Sequence, residues 1–389
     1  MMINKSQKQQ FHYDPVLTAV TLSIVLIGYI MVVSSSLHLG EQMMKNSFHY
    51  PIRQLINIGI GLLLSIGILR TPLDIWEKIG SKIFLIGLAL LVIVLIPGLG
   101  VKVNGSIRWL SLGGFRIQVS EVVKFCTVLY MAGYITRHEK NLQESAIGII
   151  KPLLLFSVAC VLLLLEPDFG SAVVILMIAM CMMFLGGAKI QQFAVLVGVL
   201  AAFAVLLVVI EPYRIARVFS FTDPFKDIRN SGYQLSQALI AFGRGEFLGV
   251  GLGNGIQKLF YLPEAHTDFL FSVLAEELGL VGVLIVIGLY TLLIWRAFWI
   301  AQLAEQAGHQ FSGFVAYGLT IWLGFQSFVN IGVNMGILPT KGLTLPLMSY
   351  GGSSMMVMCC AIAVLLRIYN ETVTVGIQAQ GGANLWKKA

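Results

Sequence analysis

The sequence predicts an all-α, polytopic integral membrane protein with ten transmembrane helices and one large loop outside the bilayer. Three observations predict it. Of 389 residues, 57% are hydrophobic. Only 12% are charged, against roughly 25% in an ordinary soluble protein, and charge is what bilayer helices exclude. Apolar runs near the length of a bilayer span, roughly 20 residues at 1.5 Å each, recur along the whole chain.

The runs are residues 16–37, 52–70, 79–97, 119–134 and 146–165, then 170–186, 190–210, 269–295, 311–333 and 351–368. The first follows Lys5 and Lys8 and is too long for the apolar core of a cleaved signal, so it is expected to stay as a helix. The fourth is the shortest and carries Glu121 and Lys124. The fifth and sixth are joined only by Glu166-Pro167-Asp168-Phe169, a tight turn. Residues 98–118 read as a Gly-rich loop with Arg108, Trp109 and Arg116. Residues 211–267 form the large loop, in which 232–247 has mild helical periodicity and should lie at the interface.

The formal net charge of +7 is spread over short loops, which points to membrane-flanking charge and away from nucleic acid. The cations divide evenly between the two sides, so the positive-inside rule alone decides nothing; both termini are expected in the cytoplasm. Cys126, Cys160, Cys181, Cys359 and Cys360 all fall in apolar stretches, with no disulfide or zinc spacing.

The polar chemistry gathers where the large loop meets the eighth helix, at Leu262-Pro263-Glu264-Ala265-His266-Thr267-Asp268. Asp268 at the membrane–water boundary suits a general base. Residue chemistry alone favours a simple helix cap by Thr267 or Asp268. Alternating Glu264, His266 and Asp268 also raise a divalent cation, Mg or Mn, as a minor alternative. Gly249-Val250-Gly251-Leu252-Gly253-Asn254-Gly255 lacks the strand and lysine of a nucleotide loop. It reads instead as backbone lining a substrate groove, with N–H groups open to phosphate oxygens. Arg108, Lys124, Lys258 and Lys341 are cations suited to a pyrophosphate, although loop solvation is the commoner role for any one of them. Glu121 and Lys124, spaced i, i+3, pair either as structural glue or as a functional site. Glu276 and Glu277 are adjacent carboxylates within a helix, suited either to a proton relay or to a buried, fully bonded site.

Several long segments then carry a resemblance. They are Pro212-Tyr213-Arg214-Ile215-Ala216-Arg217, the run from Gly232 through Glu246, and the run from Gly251 through Phe269. Arg108-Trp109-Leu110, Gln118-Val119-Ser120-Glu121, Glu166-Pro167-Asp168-Phe169-Gly170 and the run from Leu345 through Ser353 agree as well. Together they resemble the SEDS family of shape, elongation, division and sporulation proteins over nearly the whole chain. Thr340-Lys341-Gly342-Leu343-Thr344 is similar to the division-type branch. Val119, where the family pattern has proline, is one small departure. The resemblance implies ten transmembrane helices and a peptidoglycan glycosyltransferase that polymerises lipid II, with Asp268 as its essential acidic residue. The substrate and pyrophosphate site is expected to draw on Arg108, Lys124, Lys258, Lys341, Glu121, Gln118, His266 and Ser349. The implied partners are lipid II, an undecaprenyl-pyrophosphate-linked glycan, a class B penicillin-binding protein and other division-complex membrane proteins. The implied location is the bacterial inner membrane at the septum. A lipid II flippase using Glu276 and Glu277, or a non-catalytic scaffold, are the alternatives.

Overall fold

A computed structural model describes residues 11–103, 106–113, 115–210, 221, 223–226, 232–340 and 342–379. Each of the ten apolar runs is helical. The helices are α1 (Pro15–Met44), α2 (His49–Arg70), α3 (Leu73–Leu95), α4 (Val119–Glu144), α5 (Ala146–Leu165), α6 (Phe169–Leu185) and α7 (Ile190–Ile210). After α8 (Tyr233–Gly245) come α9 (Leu270–Gln306), α10 (Gln310–Asn334) and α11 (Gly352–Ala379). Seven of them, α1, α2, α3, α5, α9, α10 and α11, are long and apolar enough to cross a membrane by length and composition among the described residues. α4 is long enough but too polar, and α6 is one residue short of that length.

Local chemistry sets the ends. Asp14 caps α1, its carboxylate accepting from Leu17 N at 2.6 Å, with Pro15 at the first helical position. Thr71-Pro72 separates α2 from α3. Asp168 caps α6 through Ser171 N at 3.1 Å. The packing is inside-out, as lipid requires: Leu62, Leu63 and Leu64 on α2 face outward, while Gln54 and Asn57 are buried against the bundle.

Residues 98–118 are not the irregular loop their glycines suggest. They fold into a three-stranded antiparallel sheet, β1 (Gly100–Val103), β2 (Ser106–Leu112) and β3 (Phe115–Gln118), with Leu110 paired to Gly100 on one side and Ile117 on the other. β3 runs straight into α4 and so places Gln118 at that helix's start.

α9 is broken at Gly279, whose φ of 64° and ψ of −163° leave the helical region. The break exposes carbonyls on one side and N–H groups on the other, and the segment after α8 satisfies both. Val250 N and Gly251 N donate to the Glu276 and Glu277 carbonyls at 3.0 and 3.1 Å. Leu280 N and Val281 N donate to the Glu246 and Phe247 carbonyls at 2.9 and 3.2 Å. The approach is close enough that a Cβ on Gly249 would stand 2.1 Å from the Glu277 carbonyl oxygen.

Two contacts orient the bundle. Arg296 pairs with Asp14 at 2.7 Å, and His12 N donates to Asn370 Oδ1 at 2.7 Å, so the start of α1 and the later part of α11 share one face. Ser34, near the far end of α1, meets Lys258 and Glu277. The sheet, α8 and Asp268 lie at that far end.

Candidate functional site

Residues 262–269 form a turn pivoting on Glu264, which has a positive φ of 56° and whose carbonyl accepts from Thr267 N and Phe269 N. Asp268 sits on this turn, half-buried, ahead of α9. It is not the helix cap that residue chemistry favoured. Phe269 holds the cap position without a side-chain bond, and Ser272 N is taken instead by Asn334 Oδ1 of α10 at 3.0 Å. The Asp268 carboxylate faces Gly342, where an added Cβ would stand 3.1 Å from Oδ2. The neighbouring Leu343 packs on Gly170 at the start of α6, with Cδ2 3.3 Å from where a Cβ would lie. The segment around residues 342–344 therefore lies between Asp268 and the α5–α6 turn.

That turn holds a second polar cluster. Asp168, buried, accepts from Ser171 Oγ at 2.8 Å, Ser120 Oγ at 3.1 Å and Gln118 Nε2 at 3.5 Å. Arg108 Nη1 lies 3.9 Å from its carboxylate, and the same guanidinium donates to the Glu166 and Pro167 carbonyls. The sheet thus brings Arg108 and Gln118 to one place. Glu166 is fully buried, and its carboxyl oxygens find no hydrogen-bond partner among the described residues. Burial, with the Asp168 charge adding to it and Arg108 opposing, pushes its pKa up to about 8.

Deeper in the bundle, Lys124 donates to Glu121 Oε1 at 2.7 Å and to Gln326 Oε1 at 3.0 Å. The Trp322 indole N–H shares that Gln326 oxygen at 2.8 Å, and Gln326 Nε2 donates to the Thr344 carbonyl at 3.0 Å. The pair is built into the protein interior and tied to the segment facing Asp268.

Other sequence candidates fall differently. Lys258 is buried, and its ammonium is taken up by Ser34 Oγ at 2.8 Å, the Gly253 carbonyl at 2.8 Å and Glu277 Oε1 at 2.5 Å. Ser349 Oγ accepts from Leu345 N at 3.0 Å and so closes its own loop. Lys341 lies outside the described residues. The Gly-rich loop is committed as well: Gly253 N donates to the Glu277 carboxylate, while Ile256 N and Gln257 N donate to Glu276. The loop does cradle anions, but they are two glutamates of its own chain rather than a phosphate. Arg244 completes Glu276 at 2.9 Å and Ser34 completes Glu277, which makes this the fully bonded site and not an open relay.

His266 is half-buried against Tyr50 and Tyr350, with ring centres 5.0 and 5.4 Å away. Burial lowers its pKa, with Glu264 opposing. Tyr350 N donates to the His266 carbonyl at 3.0 Å, which joins this trio to the Asp268 turn. Burial raises the Tyr350 pKa, against the pull of the Arg53 and Arg116 charges. Both arginines are exposed. The sequence reading omitted Tyr50, Arg53 and Tyr350 from the site and left Arg116 as a loop cation. The available signal was an aromatic and a cation together near the start of α2. Glu264, His266 and Asp268 do not assemble into a metal-holding set of three or more ligands among the described residues.

A family model for the FtsW, RodA and SpoVE cell cycle proteins matches residues 15–374. The chain belongs to this family. It is 62% identical over 362 residues, 93% of each chain, to the "Probable peptidoglycan glycosyltransferase FtsW" of Methylomonas methanica. It is 48% identical to the protein of the same name from Coxiella burnetii, over 95% of this chain and all of that one. A solved structure described as "Structural coordination of polymerization and crosslinking by a peptidoglycan synthase complex" matches 93% of this chain and 99% of its own with TM-score 0.73 at 29% identity. The rod shape determining protein RodA of Thermus thermophilus matches 92% of this chain and 97% of its own, with TM-score 0.67 at 29% identity. The membership and the apolar helices make this a multi-pass membrane protein.

Proposed function

We propose that this chain is a peptidoglycan glycosyltransferase that polymerises lipid II into glycan strands during septal wall synthesis, with Asp268 as the base. The observation that carries the reading is Asp268 itself. It is a half-buried carboxylate on a pinned turn, beside a glycine and next to an aromatic trio rimmed by Arg53 and Arg116. The names of its relatives supply the reaction class.

The donor is the growing glycan on a lipid pyrophosphate and the acceptor is a lipid II sugar hydroxyl. An α-linked donor that gives a β-linked product needs one inversion, so one base suffices. Asp268 takes the acceptor proton as the hydroxyl attacks the anomeric carbon, through an oxocarbenium-like transition state. Negative charge grows on the departing pyrophosphate. Arg53 and Arg116, exposed near the start of α2 and on β3, receive it, and Arg108 stands at the α5–α6 turn. Lys258 is spent on Glu277, so it takes no part in this reading.

The site end faces the outside of the inner membrane, and the shared end near Asp14 and Asn370 faces the cytoplasm. The working partner is a class B penicillin-binding protein, which crosslinks what this chain polymerises; the synthase-complex relative supports that pairing. Transport by a Glu276–Glu277 relay lacks support, because each carboxylate already holds at least three donors. The deciding experiment supplies labelled lipid II to the purified full chain with its partner. Asp268→Asn should stay folded and lose strand formation by roughly 10²–10⁴-fold, the usual worth of a general base. Near-normal strand yield from that variant would end the assignment.

A further inference from the structure

We infer that Asn330 and Asn334 of α10 are positioning residues that jointly fix Asp268 and the segment opposite it; this rests on the reading of Asp268 as the base. Both amides are buried on one face of α10, one turn apart. Asn330 Nδ2 donates to two backbone carbonyls at once, those of Asp268 at 2.9 Å and Leu343 at 2.6 Å. Asn334 Nδ2 donates to the same Asp268 carbonyl at 2.9 Å, while its Oδ1 accepts from Ser272 N at 3.0 Å and Ser272 Oγ at 2.7 Å. The amide orientations are forced. Carbonyl oxygens only accept, so nitrogen must face them, and the Ser272 N–H only donates, so oxygen must face it.

Two features separate this from helix–helix glue. Both side chains converge on one carbonyl, that of the proposed base, which over-determines its backbone. Asn330 also bridges to Leu343, next to the Gly342 that the carboxylate faces. One side chain therefore sets the spacing between the base and the wall opposite it. The α10 face extends the hold: Gln326, one turn before Asn330, donates to the Thr344 carbonyl. Catalytic geometry tolerates little drift, and a displacement of about 1 Å can cost about 10²-fold in rate.

The test is steady-state polymerisation of labelled lipid II by the full chain with its partner, reading kcat and KM separately. Asn330→Ala should lower kcat by roughly 10–100-fold with KM within about twofold, because the substrate does not touch this amide. Asn330→Asp keeps the volume but exchanges donors for acceptors, and should fall as far, so a folding failure of one variant still leaves a reading. Asn334→Ala should lose kcat and also thermal stability, since it uncaps α9. An unchanged kcat in a folded Asn330 variant, or a rise in KM alone, overturns the inference. Asp268→Asn run alongside separates the failures: if it polymerises normally the base assignment falls, and if it is dead while the Asn330 variants are not, only the positioning role falls.

Discussion

Gly342 stands directly before the carboxylate of Asp268, and a methyl group added there would lie 3.1 Å from Oδ2, its sole neighbour within 4 Å among the described residues. The glycine thus provides space rather than an unusual backbone angle. Gly342→Ala should fold normally, with a melting temperature within a few degrees of the parent. Its polymerisation rate should drop by roughly tenfold or more, because the methyl group crowds the carboxylate or the incoming hydroxyl. Parental kcat would mean that the carboxylate does its work facing elsewhere.

The Lys258–Glu277 pair sits where α1, the Gly-rich loop and the upper part of α9 meet. Removing one partner strands a buried charge, at a cost of about 3–5 kcal/mol. Glu277→Gln should therefore lower thermal stability and open residues 249–258 to proteolysis. Lys258→Met should do likewise, while the surviving folded fraction keeps the parental KM for lipid II. A large KM increase for Lys258→Met at unchanged stability would restore this lysine to the substrate site.

Glu166 gives a pH signature. Its carboxyl is buried, and its pKa rises from 4.5 to about 8. A raised folded-state value means that the neutral form is favoured in the fold. The stability associated with it is complete below pH 4.5 and is lost as pH climbs to about 8, at about 1.4 kcal/mol per pH unit. Glu166→Gln stays neutral throughout. Its melting temperature should match the parent near pH 4.5 and exceed it increasingly up to about pH 8, then run parallel. A constant offset across that range would contradict an uncharged buried carboxyl.

These residues show what was legible in the sequence. Apolar runs mark where helices are, because lipid demands them, but not where helices stop. α9 continues to Gln306, well past the apolar run that ends near Trp295, because Arg296 and Glu305 are costly only within the bilayer. The sheet escaped notice because two of its strands have four residues each, too few for alternation to register. The Gly-rich loop shows the deeper limit. Its donors are plain in the sequence, but their acceptors, Glu276 and Glu277, lie some twenty residues away and meet them only once α9 breaks at Gly279. Asp268 was found through motif resemblance, whereas the side chains that hold it, Asn330 and Asn334, carried only the weaker signal of amides inside an apolar helix.

Arg53 offers the sharpest test of how the lipid-linked substrate is held. It lies near the start of α2, exposed, and its charge acts on Tyr350, whose backbone is tied to the Asp268 turn through His266. An exposed cation contributes modestly to binding, and salt screens it. Arg53→Ala should therefore raise KM for lipid II by roughly fivefold to tenfold with kcat within about twofold, and should flatten the dependence of KM on ionic strength. Arg53→Lys keeps the charge but loses the planar fork, so it should recover only part of the affinity. Arg116→Ala should act in the same direction, and the double variant should lose more than either alone, because on the proposed reading the two cations share one pyrophosphate. If KM and its salt dependence stay at parental values in the double variant, the rim of cations beside Tyr350 is not where the pyrophosphate sits, and the charge that grows on the leaving group must be met by Arg108 at the α5–α6 turn.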